Sequence, residues 1–462
     1  MRRFWSDPLA TRRSRLFSFF LLYLSEGLPS GFTATAVATQ MRRLGLGTGE
    51  IGSFAAALYL PWFFKWAFGP FIDTFAPQRF GPRRFWIVLA QGLMVLTLLA
   101  AMPLDFAQQL SLFTAFLFVH NVFAATQDAA IDALACNVLP AEERGVANGF
   151  MYGGFAIGQG LGGGGVLFLA SAMPFRFTWL FVAGAVLTVG LLVSWRIREP
   201  AAPPEAARES GAARALAEAG RRLADFVHEA WRAFTGTRAA WLGIVLALLP
   251  MGATALGLAL QSNLAVDLGL DDRQVGTLSL VTSLLGAICC VVGGWISDRF
   301  GRLRSVAAFI VLMSLPTAAL GLALAAAGFG VPGSATGAVV PAAAVTAFWA
   351  CALLFATFNG LMYGAGTALY MDITTPRVAA TQFTGYMALC NLAYSYSAKW
   401  QGHAAERLGY PATLGLDAVV GLVCLTVLPF VGAPRRRETD AVGLAPPSGS
   451  GPGSAIPEGV AP

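Results

Sequence analysis

The sequence predicts an all-α integral membrane protein with twelve membrane-spanning helices in two related halves of six. Three observations predict this class. Only 12% of the 462 residues are charged, about half of the roughly 25% found in soluble domains. The mean hydropathy is +0.63, and one charged loop motif occurs twice. These values exclude an ordinary soluble enzyme, a disordered protein and a disulfide scaffold.

Apolar segments long enough to cross a membrane occur twelve times, at about 20 residues for each crossing. A charged stretch from 196 to 238 separates six of them from the other six. They fall near residues 15–38, 51–72, 85–104, 109–138, 146–171, 175–195, 239–262, 274–296, 305–328, 341–372, 379–400 and 411–432.

The basic residues predict the orientation of these spans. Of 31 lysines and arginines, 24 lie in the termini and loops of one side and five on the other side. Because basic loops stay in the cytoplasm, this bias places both termini there. The same pattern explains the net charge of +6 without a nucleic-acid partner.

The chain divides into four parts by this reading. Residues 1–200 form an N-terminal six-helix bundle, 201–238 a cytoplasmic linker, and 239–433 a C-terminal six-helix bundle. The tail, 434–462, is rich in Pro, Gly and Ser and is predicted to be disordered. Apolar linker residues recur at helical spacing and predict an amphipathic helix on the inner leaflet. They are Leu216, Leu223, Val227, Trp231 and Phe234.

The loop motif follows the second span of each half. In the second half it reads GWISDRFGRLR and contains Asp298, Arg299 and Arg302. Its counterpart in the first half holds Asp73 and Arg83. Repetition in matching places indicates an internal repeat. We expect these residues, with Asp372 near the end of span 10, to act as gating loops.

Ionisable residues inside spans are costly and mark function by default. Asp128 and Asp132 lie four residues apart on one face of span 4. Counted from the span ends at ~1.5 Å per residue, Asp128 and Glu26 fall near the midplane, ~18 and ~16 Å deep. Lys65 and Asp132 are each ~12 Å deep.

Matching depths predict a contact between Lys65 and Asp132. One interpretation is a structural ion pair that locks spans 2 and 4. The other is a proton-exchanging site, because burial and a nearby lysine act in opposite directions on a carboxyl group. Asp128 and Glu26, as spare acids, are the better candidates for the proton carrier.

Polar residues of the second half suit hydrogen bonding to a polar substrate, but each could equally join helices to one another. The candidates are Gln261, Asn263, Asn359, Tyr363 and Asn391. The sequence has no HExxH, GxSxG or P-loop motif. We therefore expect no enzyme activity, no cofactor and no metal, and transport driven by an ion gradient.

The loop motif resembles the signature of the major facilitator superfamily. That resemblance implies two six-helix bundles about a pseudo-twofold axis, with spans 1, 4, 7 and 10 lining a central cavity. More specific strings resemble its peptide/acetyl-coenzyme-A transporter branch, in particular AmpG-type anhydromuropeptide permeases. The strings are GLPSG at 27–31, YLPWFFKW at 59–66, ATQDAAID at 125–132, LPAEERG at 139–145, YMD at 370–372 and ATQF at 380–383.

The resemblance implies a monomer that imports N-acetylglucosaminyl-anhydro-N-acetylmuramyl peptides across the bacterial inner membrane, driven by protons. This import serves cell-wall recycling and feeds β-lactamase induction. The residues that match family positions are Lys65, Gln127, Asp128, Asp132 and Asp372.

Two alternatives remain. The strings of spans 4 and 5 also resemble siderophore importers of the pyochelin and rhizobactin type. Glu26 stands where the relatives carry a neutral residue, and this extra acid also suits a cationic or metal-chelating cargo. A non-transporting membrane sensor is the alternative from another class, but a sensor needs no unpaired carboxylate at the midplane.

Overall fold

The computed structural model describes residues 7–75, 80–199, 212–331, 340–374 and 379–431. Every regular element within these ranges is helical, so the all-α prediction is confirmed. The predicted disordered tail lies outside the described residues.

The first half contains nine α-helices, counted over the described residues. Two π-helical turns, Phe32–Val37 and Leu161–Gly165, interrupt it. The helices are α1 (Arg12–Gly31), α2 (Ala38–Arg43), α3 (Thr48–Phe63), α4 (Lys65–Thr74), α5 (Pro82–Ala101), α6 (Leu110–Val138), α7 (Ala141–Gly160), α8 (Val166–Ala170) and α9 (Thr178–Leu192).

A linker helix, α10, precedes the helices of the second half. It spans Ala212–Thr235. The helices that follow are α11 (Arg238–Leu248), α12 (Ala259–Asp267), α13 (Asp272–Phe300), α14 (Arg302–Ala326), α15 (Ala342–Asp372) and α16 (Ala379–Leu422). The last of these is two helices joined at a kink, where Gly409 has φ +80°.

Eight helical segments of the described chain are long and apolar enough to cross a membrane. The last of them contains the kink and covers two predicted spans. The first, second and seventh predicted spans are interrupted or more polar, so the count of twelve and the cytoplasmic termini stay predictions. The segments are Pro82–Ala101, Leu110–Val138, Val146–Ala170, Phe175–Arg196, Asp272–Phe300, Arg302–Ala326, Ala342–Asp372 and Gln382–Phe430.

The two copies of the loop motif share one backbone conformation. Gly81 has φ +81° directly before α5, and Gly301 has φ +95° directly before α14. Only glycine adopts this region without strain. Matching geometry at matching positions supports the internal repeat seen in the sequence.

Helices α1 and α7 pack closely along their length. A Cβ atom at Gly162, in the π-turn after α7, would lie 1.8 Å from the carbonyl oxygen of Leu28. A Cβ atom at Gly154 or Gly158 would also overlap an α1 carbonyl oxygen, that of Phe20 or Leu24. Small residues permit such approach between membrane helices. This contact fixes the position of α1, which carries Glu26.

The second predicted span breaks where Lys65 begins α4. Phe64 has φ −88° and ψ 1°, which is not helical, and Pro61 lies in the last turn of α3. Proline removes a backbone donor and bends a helix. The break therefore places Lys65 at the first position of a new helix.

The seventh predicted span, 239–262, is wrong as a continuous helix. The chain unwinds between α11 and α12, and its freed amides must find partners because lipid offers none. Asp417 of α16 accepts hydrogen bonds from the amides of Thr254 (2.8 Å) and Ala255 (2.9 Å). The two amides before these donate elsewhere: Gly252 to the carbonyl of Gly421 (3.0 Å) and Ala253 to the hydroxyl of Ser314 (3.2 Å).

Linker helix α10 contacts both halves at one end of the bundle, which we term the linker face. It contacts α4 of the first half and both α11 and α16 of the second. The ring of Phe234 packs on Tyr386 with centroids 5.2 Å apart. A helix at Ala212–Thr235 therefore lies against both halves.

The two halves also meet at the other end of the bundle, the opposite face. The Thr48 hydroxyl of α3 donates to the carbonyl of Gly402 in α16 (2.9 Å). Two helical turns further along α3, the carbonyl of Ala56 accepts a hydrogen bond from the Ser395 hydroxyl of α16 (2.8 Å). Helices α3 and α16 therefore hold the halves together from this face inward.

Candidate transport site

Four side chains from α1, α4 and α6 form an ionic cluster inside the first half. The Lys65 ammonium contacts the carboxylates of both Asp128 and Asp132, the latter at 2.8 Å. The Tyr23 hydroxyl donates to the other oxygen of Asp132 at 2.6 Å. The cluster forms because the break before α4 presents Lys65 to the two acids on one face of α6.

Asp128 was expected to be a spare acid, and this is wrong, because it shares Lys65 with Asp132. The two acids differ in accessibility instead. The side chain of Asp128 is 7% exposed and that of Asp132 is 44% exposed. Asp132 therefore faces the open space beside the cluster, and Asp128 lies behind it.

Glu26 is the acid without a cation of its own. It is 4% exposed and is a hydrogen-bonding neighbour of Asp128. Its Oε2 atom has no hydrogen-bond partner in the described chain, and none of the ion pairs there includes it. Three carboxyl groups thus surround one lysine, which leaves an excess of negative charge inside a membrane-embedded bundle.

Gln127 lies in a buried polar group behind the cluster. Its amide donates to the Ser25 hydroxyl at 3.4 Å, and the amide of Gln91 donates to the same oxygen at 3.2 Å. All three residues are at most 2% exposed. Gln127 therefore supports α1 beside Glu26 rather than lining the space in front of Lys65.

The candidates of the second half separate into two groups. Tyr363 of α15 is 37% exposed, and its ring lies 6.3 Å from Tyr152 of α7. Asn359 is half-buried one turn before it, on the same helix face. The amide of Asn391 donates to the carbonyl of Met387 in its own helix (3.1 Å). Tyr363 and Asn359 are thus the second-half candidates placed towards α7 of the first half.

Gln261 and Asn263 lie in α12, which contacts α2 and α3. Asn263 is 1% exposed, and neither atom of its amide group has a partner within the described chain. Gln261 is half-buried in the first turn of α12. The structure therefore places both on the side of the opposite face and does not bring them to Lys65.

The second-half copy of the loop motif forms a compact ionic contact. Arg302 binds Asp298 at 2.5 Å, Asp372 at 2.9 Å and the Ser297 hydroxyl at 2.7 Å. This arginine joins α13, α14 and α15, whereas Arg299 is exposed. In the first-half copy, Arg83 lies in the first turn of α5, and the side chain of Asp73 lies outside the described part.

Sequence reasoning missed the ionic bridge between the halves at the opposite face. Arg42 of α2 forms a two-pronged pair with Asp267 of α12, both N–O distances being 2.8 Å. Beside it, Arg43 binds Asp272 at 2.8 Å, and the Tyr410 hydroxyl donates to Asp267 at 2.6 Å. In the sequence these residues look like ordinary loop charges, and only the fold pairs them.

Asp417 was also missed, although the signal was present. It is an acid inside the predicted span 411–432, and it is 1% exposed. Besides the two amides of the α11–α12 break, it accepts from the Gln401 amide at 2.7 Å. Tyr23 was missed too, although it lies one turn before Glu26.

The fold and this site define a secondary transporter, not an enzyme, and the chain belongs to the major facilitator superfamily, whose model matches residues 16–398. It is 26% identical over 419 residues to the anhydromuropeptide permease of Escherichia coli (strain K12), covering 88% of this chain and 78% of that protein. AmpG-like permeases are therefore its relatives.

Two solved structures confirm the fold. The inward-open xylose transporter XylE from E. coli has a TM-score of 0.66 at 14% identity and covers 93% of this chain and 99% of its own. A POT family transporter in complex with 5-aminolevulinic acid has a TM-score of 0.68 at 12% identity, covering 92% and 99%.

Proposed function

We propose that this protein imports anhydromuropeptides across the bacterial inner membrane, coupled to protons, for cell-wall recycling and the resulting induction of β-lactamase. The similarity to the E. coli anhydromuropeptide permease over 88% of the chain supports the substrate. The observation that carries the coupling is the presence of three carboxyl groups around Lys65.

The charge of this cluster gives the coupling its physical basis. Burying an unpaired carboxylate in a medium of low polarity is very costly, and such a group takes up a proton instead. Asp132 is 44% exposed and keeps its charge against water. Lys65 neutralises one further carboxylate, so the buried Glu26 and Asp128 share one proton. The proton binds from the periplasm, and when the space before Asp132 opens to the cytoplasm, water reaches the cluster and the proton leaves.

The contacts between the halves support a direction of opening. Ion pairs and helix packing close the opposite face, which we assign to the periplasm from the distribution of basic residues. The conformation is then closed to the outside, with the site reached from the cytoplasm. In this arrangement the halves 1–200 and 239–433 rock about the site, and the linker 201–238 joins them at the cytoplasmic surface.

The gating loops act at that surface. Arg302 holds α13, α14 and α15 together through Asp298 and Asp372, so the inner end of the second half moves as one unit. Asp73, Arg83 and Arg299 of the repeated motif complete the inner gate. Asn359 and Tyr363 bind substrate across the space from Lys65.

Uptake of labelled anhydromuropeptide into right-side-out membrane vesicles tests this function. We expect accumulation only with an imposed proton gradient in the wild type. Glu26→Gln and Asp128→Asn should abolish accumulation, because neither amide can carry the proton. Both variants should still exchange labelled for unlabelled substrate at equilibrium, which shows that they are folded.

Asp105→Asn is the matched control, since Asp105 caps an exposed loop through the amide of Ala107 (2.9 Å). It should accumulate substrate like the wild type. Gradient-driven uptake of a ferric siderophore, with no uptake of anhydromuropeptide, would replace the proposed substrate. Full accumulation by Glu26→Gln and Asp128→Asn would refute the coupling site.

A further inference from the structure

Three tyrosines form a continuous aromatic row from the ionic cluster to the second half. Tyr23 donates its hydroxyl to Asp132 (2.6 Å). Its ring lies 6.5 Å from that of Tyr152, edge to face, and Tyr152 lies 6.3 Å from Tyr363, again edge to face. The last contact joins α7 of the first half to α15 of the second.

The rings of Tyr152 and Tyr363 contact each other across the two halves, and both side chains remain exposed. They are 46% and 37% exposed. Each ring touches the other half of the protein, so the exposed ring area borders the space between the halves. A second pair between the halves, Tyr59 and Tyr394, has centroids 5.8 Å apart, but both of its members are half-buried. The row from Tyr23 to Tyr363 is therefore the more accessible aromatic wall.

The chemistry of this wall fits one kind of ligand. A tyrosine ring offers a flat apolar face and a polar hydroxyl at its tip. A hexopyranose has the same division, with C–H groups on its face and hydroxyls around its rim. The neighbouring polar groups are the Asn359 amide and the Asp132 carboxylate, which can form hydrogen bonds with the sugar hydroxyls. A few well-placed polar groups in an aromatic pocket are enough to fix the orientation of a ligand.

We propose that Tyr152 and Tyr363 form a subsite that stacks a hexopyranose ring of the substrate. This inference rests on the proposed function, whose cargo carries two amino-sugar rings and a peptide. The subsite recognises the sugar portion, and the ionic cluster beside it serves the proton. Because the rings come from opposite halves, a stacked sugar contacts both halves at once.

Replacing each ring by a smaller apolar side chain tests the subsite. The purified full-length protein is assayed for binding of peptide-free N-acetylglucosaminyl-anhydro-N-acetylmuramic acid by isothermal titration, and for its uptake in proteoliposomes. We expect Tyr152→Leu and Tyr363→Leu to weaken binding and raise KM about tenfold, as loss of one aromatic contact does. Tyr152→Phe and Tyr363→Phe keep the stacking face and should stay within about threefold.

Phe150→Leu is the matched control, because Phe150 is a 42% exposed aromatic residue on the same helix as Tyr152. It should bind the disaccharide like the wild type. Unchanged affinity in both leucine variants would overturn the subsite, as would wild-type protein that does not bind the disaccharide. Binding that depends on the rings, without uptake by the wild type, would support the subsite and refute the proposed transport function.

Discussion

The ionic bridge at the opposite face predicts how strongly the protein prefers the conformation in which this face is closed. Arg42 makes two hydrogen bonds of 2.8 Å to Asp267 across the halves, and the side chains are 25% and 21% exposed. A charged, two-pronged contact of this kind contributes about 1–2 kcal/mol. Arg42→Gln should therefore raise the ratio of outward-open to closed protein about 5- to 30-fold.

Distances between spin labels at Leu44 and Leu408 measure this ratio, in a background without the six native cysteines. These leucines are 58% and 49% exposed and belong to different halves. The exchange Arg42→Asp with Asp267→Arg should restore the closed distance, because it rebuilds the pair. An unchanged distance distribution in Arg42→Gln would show that this bridge does not hold the opposite face closed.

Arg176→Gln is the control for the spin-label measurement. Arg176 is an exposed arginine that stacks on Phe177 of its own half, 5.0 Å from the ring centroid. Its replacement removes a positive charge from the same half without touching the bridge. A distance change as large as that in Arg42→Gln would mean that net charge, rather than the specific pair, sets the preference.

The remaining predictions concern stability. Asp417→Ala leaves two buried amides of the α11–α12 break without an acceptor and should lower the free energy of unfolding by about 2–5 kcal/mol. The loss is measured as a lower thermal unfolding temperature in detergent. Asp417→Asn keeps an acceptor and should lose clearly less stability; equal losses in the two variants would contradict the capping role. Gly162→Ala places a methyl group 1.8 Å from the Leu28 carbonyl oxygen and should prevent a stable fold, measured by monodisperse yield. Gly153→Ala meets open space and should behave as wild type.

The helical class and the repeat were predictable, because apolar length and charge distribution are direct consequences of lipid as a solvent. The interruptions within the predicted spans were harder to predict. Pro61 predicts the break before Lys65 from the local sequence. The break between α11 and α12 instead depends on Asp417 and Gly421, about 160 residues away. A one-dimensional pattern cannot show that a distant carboxylate replaces the lost helical hydrogen bonds.

For the site, depth counting brought Lys65 and Asp132 together, since rise per residue is constant along a helix. The same counting treated Asp128 as spare, because it cannot show that one ammonium reaches two carboxylates. Contacts between the two halves could not be predicted from the sequence. Arg42 and Asp267 are 225 positions apart, and only the packing of α2 against α12 makes them partners.

We propose that the acids around Lys65 bind and release the coupling proton. This role is tested most directly by recording the internal pH of proteoliposomes with a trapped dye while anhydromuropeptide is added outside, with no other gradient present. We expect substrate entry to acidify the interior in the wild type, and Glu26→Gln to admit substrate without acidification. Equal acidification in both proteins, or substrate entry without acidification in the wild type, would contradict this role.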